Sequence, residues 1–145
     1  MKVFKLVLLM SIIFGTNELD AQLGQYRWEN RIILIFGSAS GETQVQEQLQ
    51  LVGEHTNELE DRNLLVFYFV DNLGQQLKGK KQWSAKQVLE LRKRYDIPKD
   101  TFEVLLIGKD GGVKRRSSNL LEPKDFFDLI DSMPMRQMEM RRKKG

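Results

Sequence analysis

The sequence predicts an α/β fold, a three-layer sandwich in the order β-α-β-α-β-β-α around a central mixed sheet. Three observations predict it. Apolar runs of strand length alternate with stretches of helical periodicity, which marks parallel β-α-β units. The runs are apolar almost throughout rather than at every second position, as in strands covered on both faces. A hairpin signal followed by one more helical stretch then closes the chain.

The elements follow in order. "RIILIFG" (Arg31–Gly37) is the first strand. Val45, Leu49, Val52, Thr56 and Leu59 recur at spacings of four and three, so one helix is expected from about Glu42 to Arg62. "NLLVFYFVD" (Asn63–Asp71) is the second strand, and "NLGQQLKGKKQW" (Asn72–Trp83) reads as a loop. "SAKQVLELRKRY" (Ser84–Tyr95) is the second helix, with Ser84 and Gln87 spaced as a capping box and Pro98 beyond its end. "FEVLLIG" (Phe102–Gly108) is a strand. "GKDGGVK" (Gly108–Lys114) turns it into a short fourth strand near Val113–Ser117, because Asp-Gly suits a tight hairpin turn. A last helix starts near Glu122 with Pro123 at its first position, and Pro134 is expected to end it.

The 145 residues divide into a signal peptide at 1–21, one domain at 22–134 and a Met/Arg-rich basic tail at 135–145. "MKVFKLVLLMSIIFG" has two lysines and an apolar core too short to span a bilayer, and Ala21 offers a small residue for cleavage. An exported protein, periplasmic or extracellular, is expected. A mature chain of about 120 residues can bury roughly two thirds of its unfolded surface, enough for one core without staples.

Composition removes more activities than it supports. Cysteine is absent, which excludes disulfides, thiol redox catalysis and thiolate metal sites. The single histidine, His55, argues against a Ser-His triad or a multi-His metal centre. No metal and no cofactor are expected. The net charge is +3, but Arg136–Gly145 carries five basic residues against one acidic, so the basicity belongs to the tail. Without a basic face or interleaved aromatics, nucleic acid is not an expected partner. Weak contact of the tail with an anionic surface is allowed.

Four pieces, "YRWENRIILIF" (Tyr26–Phe36), "LRKRYDIP" (Leu91–Pro98), "FEVLLIGKDGGVKRRS" (Phe102–Ser117) and "LIDSMPMRQMEMR" (Leu129–Arg141), carry a family resemblance. The chain resembles thioredoxin-like proteins. More narrowly, it resembles a peroxiredoxin-like domain of unknown function, the DUDES-type domain of bacterial envelope proteins and of animal extracellular proteins with sushi repeats or coiled-coil regions. The resemblance implies a thioredoxin-like fold and an extracytoplasmic location, with no established reaction. In the enzymes of that fold the redox thiols sit after the first central strand, which corresponds here to Gly41–Gln44, where no cysteine stands. The fold's proline before its third strand is also missing near Thr101–Phe102.

"GSASG" (Gly37–Gly41) is therefore read from its own residues. A nucleophile elbow would need serine where Ala39 stands, and a phosphate loop would need lysine where Glu42 stands. The structural reading has Ser40 capping the helix. Ser38, Ser40 and Thr43 remain the weak candidates for a hydrolytic or ligand-binding role. His55 is expected at the boundary of the apolar stripe, with pH sensing as its functional alternative. Tyr26, Arg27 and Trp28 pack on the sheet or anchor a partner. Met135, Arg136, Met138, Arg141 and Arg142 form a docking tail or a final helix packed on the domain. The expected function is a non-enzymatic binding or adaptor module for an unknown envelope or extracellular protein. The alternative is a small-ligand binder or hydrolase using the Ser/Thr-rich turn.

Overall fold

The computed structural model describes residues 22–145, so the expected signal segment lies outside the described residues. Strand β1 spans Arg31–Gly37 and leads through a short 3-10 turn, Ala39–Gly41, into α1 (Glu42–Gly53). There follow α2 (Thr56–Asp61), β2 (Leu64–Val70), β3 (Leu73–Gln76), β4 (Gln82–Trp83) and α3 (Ala85–Arg94). Then come β5 (Glu103–Ile107), β6 (Val113–Ser117), α4 (Pro123–Asp131) and α5 (Pro134–Lys144).

The sheet order is β4-β3-β2-β1-β5-β6. β1 runs parallel to β2 and antiparallel to β5, so the sheet is mixed, and β1 lies inside it. Every residue of β1 is buried, and its side chains alternate between two cores. Ile33 and Ile35 face Val45, Leu49 and Val52 of α1 and Phe126 and Ile130 of α4. Ile32, Leu34 and Phe36 face the other way, toward Val88 and Leu91 of α3 and an aromatic group of Phe67, Phe69 and Trp83. Three layers result, with α1, α2 and α4 on one side of the sheet and α3 on the other.

Three expectations are corrected. The helix expected over 42–62 is two helices, because the backbone turns at Glu54–His55, where the His55 amide bonds to Val52 O at 3.1 Å. The segment Asn72–Trp83 is not all loop: β3 extends the sheet from β2, and β4 pairs with β3. Gly74 makes this pairing close, since a Cβ there would stand 2.7 Å from Trp83 Cβ and 2.8 Å from a Phe69 ring carbon. Pro134 does not end the last helix. α4 stops at Asp131, and Pro134 sits in the first turn of α5, which includes most of the expected tail. The hairpin, the α3 capping box and Pro123 at the head of α4 stand as expected. Among the described residues, no helix is long and apolar enough to cross a membrane.

Candidate functional site

Two regions collect the residues singled out in the sequence, one at each end of β1. The carboxyl end holds the turn after Gly37. Gly37 is glycine for want of room: a Cβ there would stand 2.3 Å from Val45 Cγ2 of α1. Ser38 is buried, and its Oγ lies 2.9 Å from Oγ of exposed Ser40. The 3-10 turn delays α1 until Glu42, so Gly41, not Ser40, precedes the helix. The Ala39 amide is met by Asp71 Oδ1 at 3.4 Å, from the end of β2. Thr43 is exposed in the first turn of α1.

Beside this turn lies a cleft of about 1130 Å³ between the ends of β1 and β2 and the segment that links α3 to β5. Arg92 of α3 lies against it, 9% exposed. Its Nη2 donates to Gly37 O at 3.0 Å and, more weakly, to Asp71 O at 3.4 Å, so one guanidinium ties together the ends of two parallel strands. The guanidinium carbon stands 5.4 Å from the centre of the Phe36 ring. Nothing in the sequence marked Arg92, because an arginine within "LRKR" looks like part of a solvated face. Only its burial shows otherwise.

His55 is remote from this turn. It follows the far end of α1, with its ring 5.8 Å from Phe127 and Nδ1 3.9 Å from Glu58. The described residues therefore put no histidine beside Ser38 or Ser40. Among the described residues, no group of His, Asp or Glu is arranged to hold a metal ion.

The opposite end of β1 gathers the other candidates and separates them. Tyr26 packs on Phe67 with ring centres 5.5 Å apart, and burial pushes its phenol pKa up. Arg27 is exposed and runs beside Gly111 of the β5–β6 turn. Trp28 is 62% exposed. Its backbone has a φ of 72°, a left-handed conformation that is strained for a bulky residue, and its amide donates to Lys109 O at 2.6 Å.

α5 is attached by charge more than by apolar contact. Arg136 is 2% exposed; it meets Asp61 at 2.6 Å and Asp131 at 3.0 Å, so it is occupied within the fold. Glu139 accepts from Arg31, the 1% exposed first residue of β1, at 3.1 and 3.3 Å, and from Lys109 at 2.6 Å. Lys143 also pairs with Asp61. Hydrogen bonds from Lys143 and Arg136 lower the Asp61 pKa to about 2. Burial pushes the Glu139 and Asp131 carboxyls up, but their guanidinium and ammonium partners outweigh it and hold both below their ordinary values. Met135 (38%) and Met138 (50%) stay exposed, one turn apart, and Arg141 and Arg142 are exposed beyond them. Of the eight residues nominated for partner contact, Arg136 is thus internal and Tyr26 half-buried, while the other six reach the surface.

Comparison with known proteins gives a consistent answer. The family described as Domain of unknown function (DUF4174) matches residues 22–139. Coiled-coil domain-containing protein 80 of Danio rerio is 29% identical over 139 residues, covering 86% of this chain and 16% of that protein. Sushi repeat-containing protein SRPX of Homo sapiens is 27% identical over 135 residues, covering 90% of this chain and 29% of that protein. The chain thus spans less than a third of either relative. Among solved structures, reduced 2-Cys peroxiredoxin of Plasmodium vivax aligns with a TM-score of 0.59 at 12% identity, covering 80% of this chain and 84% of that one. The mitochondrial 2-Cys peroxiredoxin of Plasmodium falciparum aligns at 0.57 and 13% identity, covering 76% and 79%. The fold is thioredoxin-like; identities this low speak for the fold alone.

Proposed function

The chain belongs to the family described as Domain of unknown function (DUF4174), and from that premise we propose that it is an exported, non-enzymatic binding module. It is a thioredoxin-like domain without cysteine, so the scaffold is kept while its usual nucleophile is gone. Relatives that contain the domain as 16% and 29% of their length, under coiled-coil and sushi-repeat names, support a unit that works joined to different neighbours. Export rests on the charged and apolar N-terminal segment.

The observation that carries the reading is Trp28. A 62% exposed indole held in a left-handed backbone conformation by Lys109 is a large apolar surface fixed in water. Tryptophan and arginine dominate interface energetics. Met135 of α5 lies across Lys109 from Trp28, since Lys109 bonds to the Trp28 amide and shares a cavity of about 240 Å³ with Met135. The partner this face suits is a protein surface with an apolar pocket and an acidic rim that meets Arg141 and Arg142.

The test is partner capture from envelope extract with the mature chain from Gln22, at physiological and high salt. Trp28→Ala is expected to weaken retention of the captured protein by about tenfold or more, and Met135→Ala with Met138→Ala to weaken it less. Ser38→Ala and Ser40→Ala are expected to leave it unchanged. Equal retention by native chain and Trp28→Ala overturns the proposed face.

A further inference from the structure

A positive charge is buried at the carboxyl end of β1, and among the described residues no carboxylate reaches it. Arg92 is 9% exposed, its Nη2 bonds only to backbone carbonyls, and its Nη1 has no partner. Burial pulls its pKa below the ordinary value, against the weaker pull of Asp71 and Asp100. A buried cation is costly unless an opposite charge joins it. Here a cleft of about 1130 Å³ opens beside the unpaired one.

We propose that this cleft is a binding site for a small monocarboxylate with an apolar chain, its carboxylate drawn to Arg92 and its chain laid along Leu89, Ile97 and Pro98. Three features select that class. The cleft's cations, Arg92, Lys93 and Lys99, are matched in number by Asp71, Asp96 and Asp100, so a dianion would add charge against three aspartates. The buried Nη1 lacks an acceptor, which a carboxylate oxygen supplies with a charge-assisted hydrogen bond. Leu89 is 51% exposed and lies one helical turn before Arg92, on the same side of α3. Nη1 itself is buried, so a side chain beside it must move to admit the carboxylate. The cleft is remote from Trp28, so its failure leaves the adaptor reading standing.

Sodium hexanoate, hexanamide and sodium phosphate, at matched ionic strength, test this on the mature chain labelled with 15N. Hexanoate is expected to shift the amide signals of Gly37, Ser40 and Asn72 and the Arg92 side-chain signals saturably. Hexanamide, of similar shape without the charge, is expected to bind about tenfold or more weakly. Leu89→Ser is expected to weaken hexanoate about threefold and leave the fold unchanged, because Leu89 is a surface residue. Arg92→Gln is expected to erase the preference for acid over amide. Equal binding of hexanoate and hexanamide, phosphate binding as tight as hexanoate, or no saturable shift at Arg92 would each overturn the proposal. Where Arg92→Gln fails to fold, the acid–amide comparison and Leu89→Ser on the native background decide.

Discussion

Arg31 stands at the head of the first strand, 1% exposed, and depends on one carboxylate from the other end of the chain. Removing Glu139 leaves a buried guanidinium and the Lys109 ammonium without their counter-charge. Glu139→Gln is therefore expected to cost about 3 kcal/mol in urea unfolding, the lower end for a broken buried pair. Adding Arg31→Met should recover part of that loss, because it removes the stranded charge. Gly37→Ala is expected to cost about 1–3 kcal/mol, since the new methyl would collide with Val45 Cγ2, and Val45→Ala should relieve it. Neither arginine could be identified from its neighbours in sequence. Arg31 precedes an apolar run as any strand-flanking charge does, and Arg92 sits among other cations. Burial of a charge is decided by which element lands on it, and that is tertiary information. Trp28 is read from the sequence together with Tyr26 and Arg27, but its left-handed backbone is tied to the Lys109 carbonyl, a contact no local pattern carries.

Among the elements, those with long apolar or capped signals were legible. β1 and β6 have the bounds read from the sequence, and Ser84 caps α3 through the Gln87 amide at 3.2 Å. Ser84→Ala is expected to lower stability by about 1 kcal/mol in thermal or urea unfolding. The break between α1 and α2 was hidden because the apolar stripe keeps its spacing through the turn: Val52 and Leu59 both reach the same core. β3 and β4 were hidden because runs of four residues and then two carry no period, and they exist by pairing, β3 with β2 and β4 with β3. α5 was half legible, its sequence being as polar as a frayed end, and its ion pairs hold it. Those carboxyls titrate below their ordinary values when folded. Their contribution is complete above the unfolded pKa, near 4, and is lost as pH falls through the folded one, about 2 for Asp61. Acid should therefore loosen α5 between those limits. The Arg136 and Glu139 signals in 15N spectra should move there together, and their constancy down to the lower limit would count against attachment by charge.

For the whole molecule, the thioredoxin-like sheet places two different surfaces at the ends of one buried strand. β1 is seven residues long, roughly 20 Å at strand rise. Beyond one end, Gly41–Gln44, the stretch that the resemblance sets against the redox thiols of thioredoxin-like enzymes, reads Gly, Glu, Thr and Gln. Purified protein is expected to consume no peroxide above a protein-free blank, and measurable turnover would contradict the non-enzymatic reading.

The bond between Arg31 and Glu139 also has a consequence in time. Its two residues lie 108 positions apart, so a ribosome delivers Arg31 well before Glu139. Until Glu139 emerges, the central strand carries a charge that no carboxylate answers. A chain that stops before Glu139 is not merely a smaller version of this domain; it keeps a buried charge in its central strand without the carboxylate that pairs with it. The Glu139 carboxylate, midway along α5, acts as the latch, and it closes only once that helix has been made.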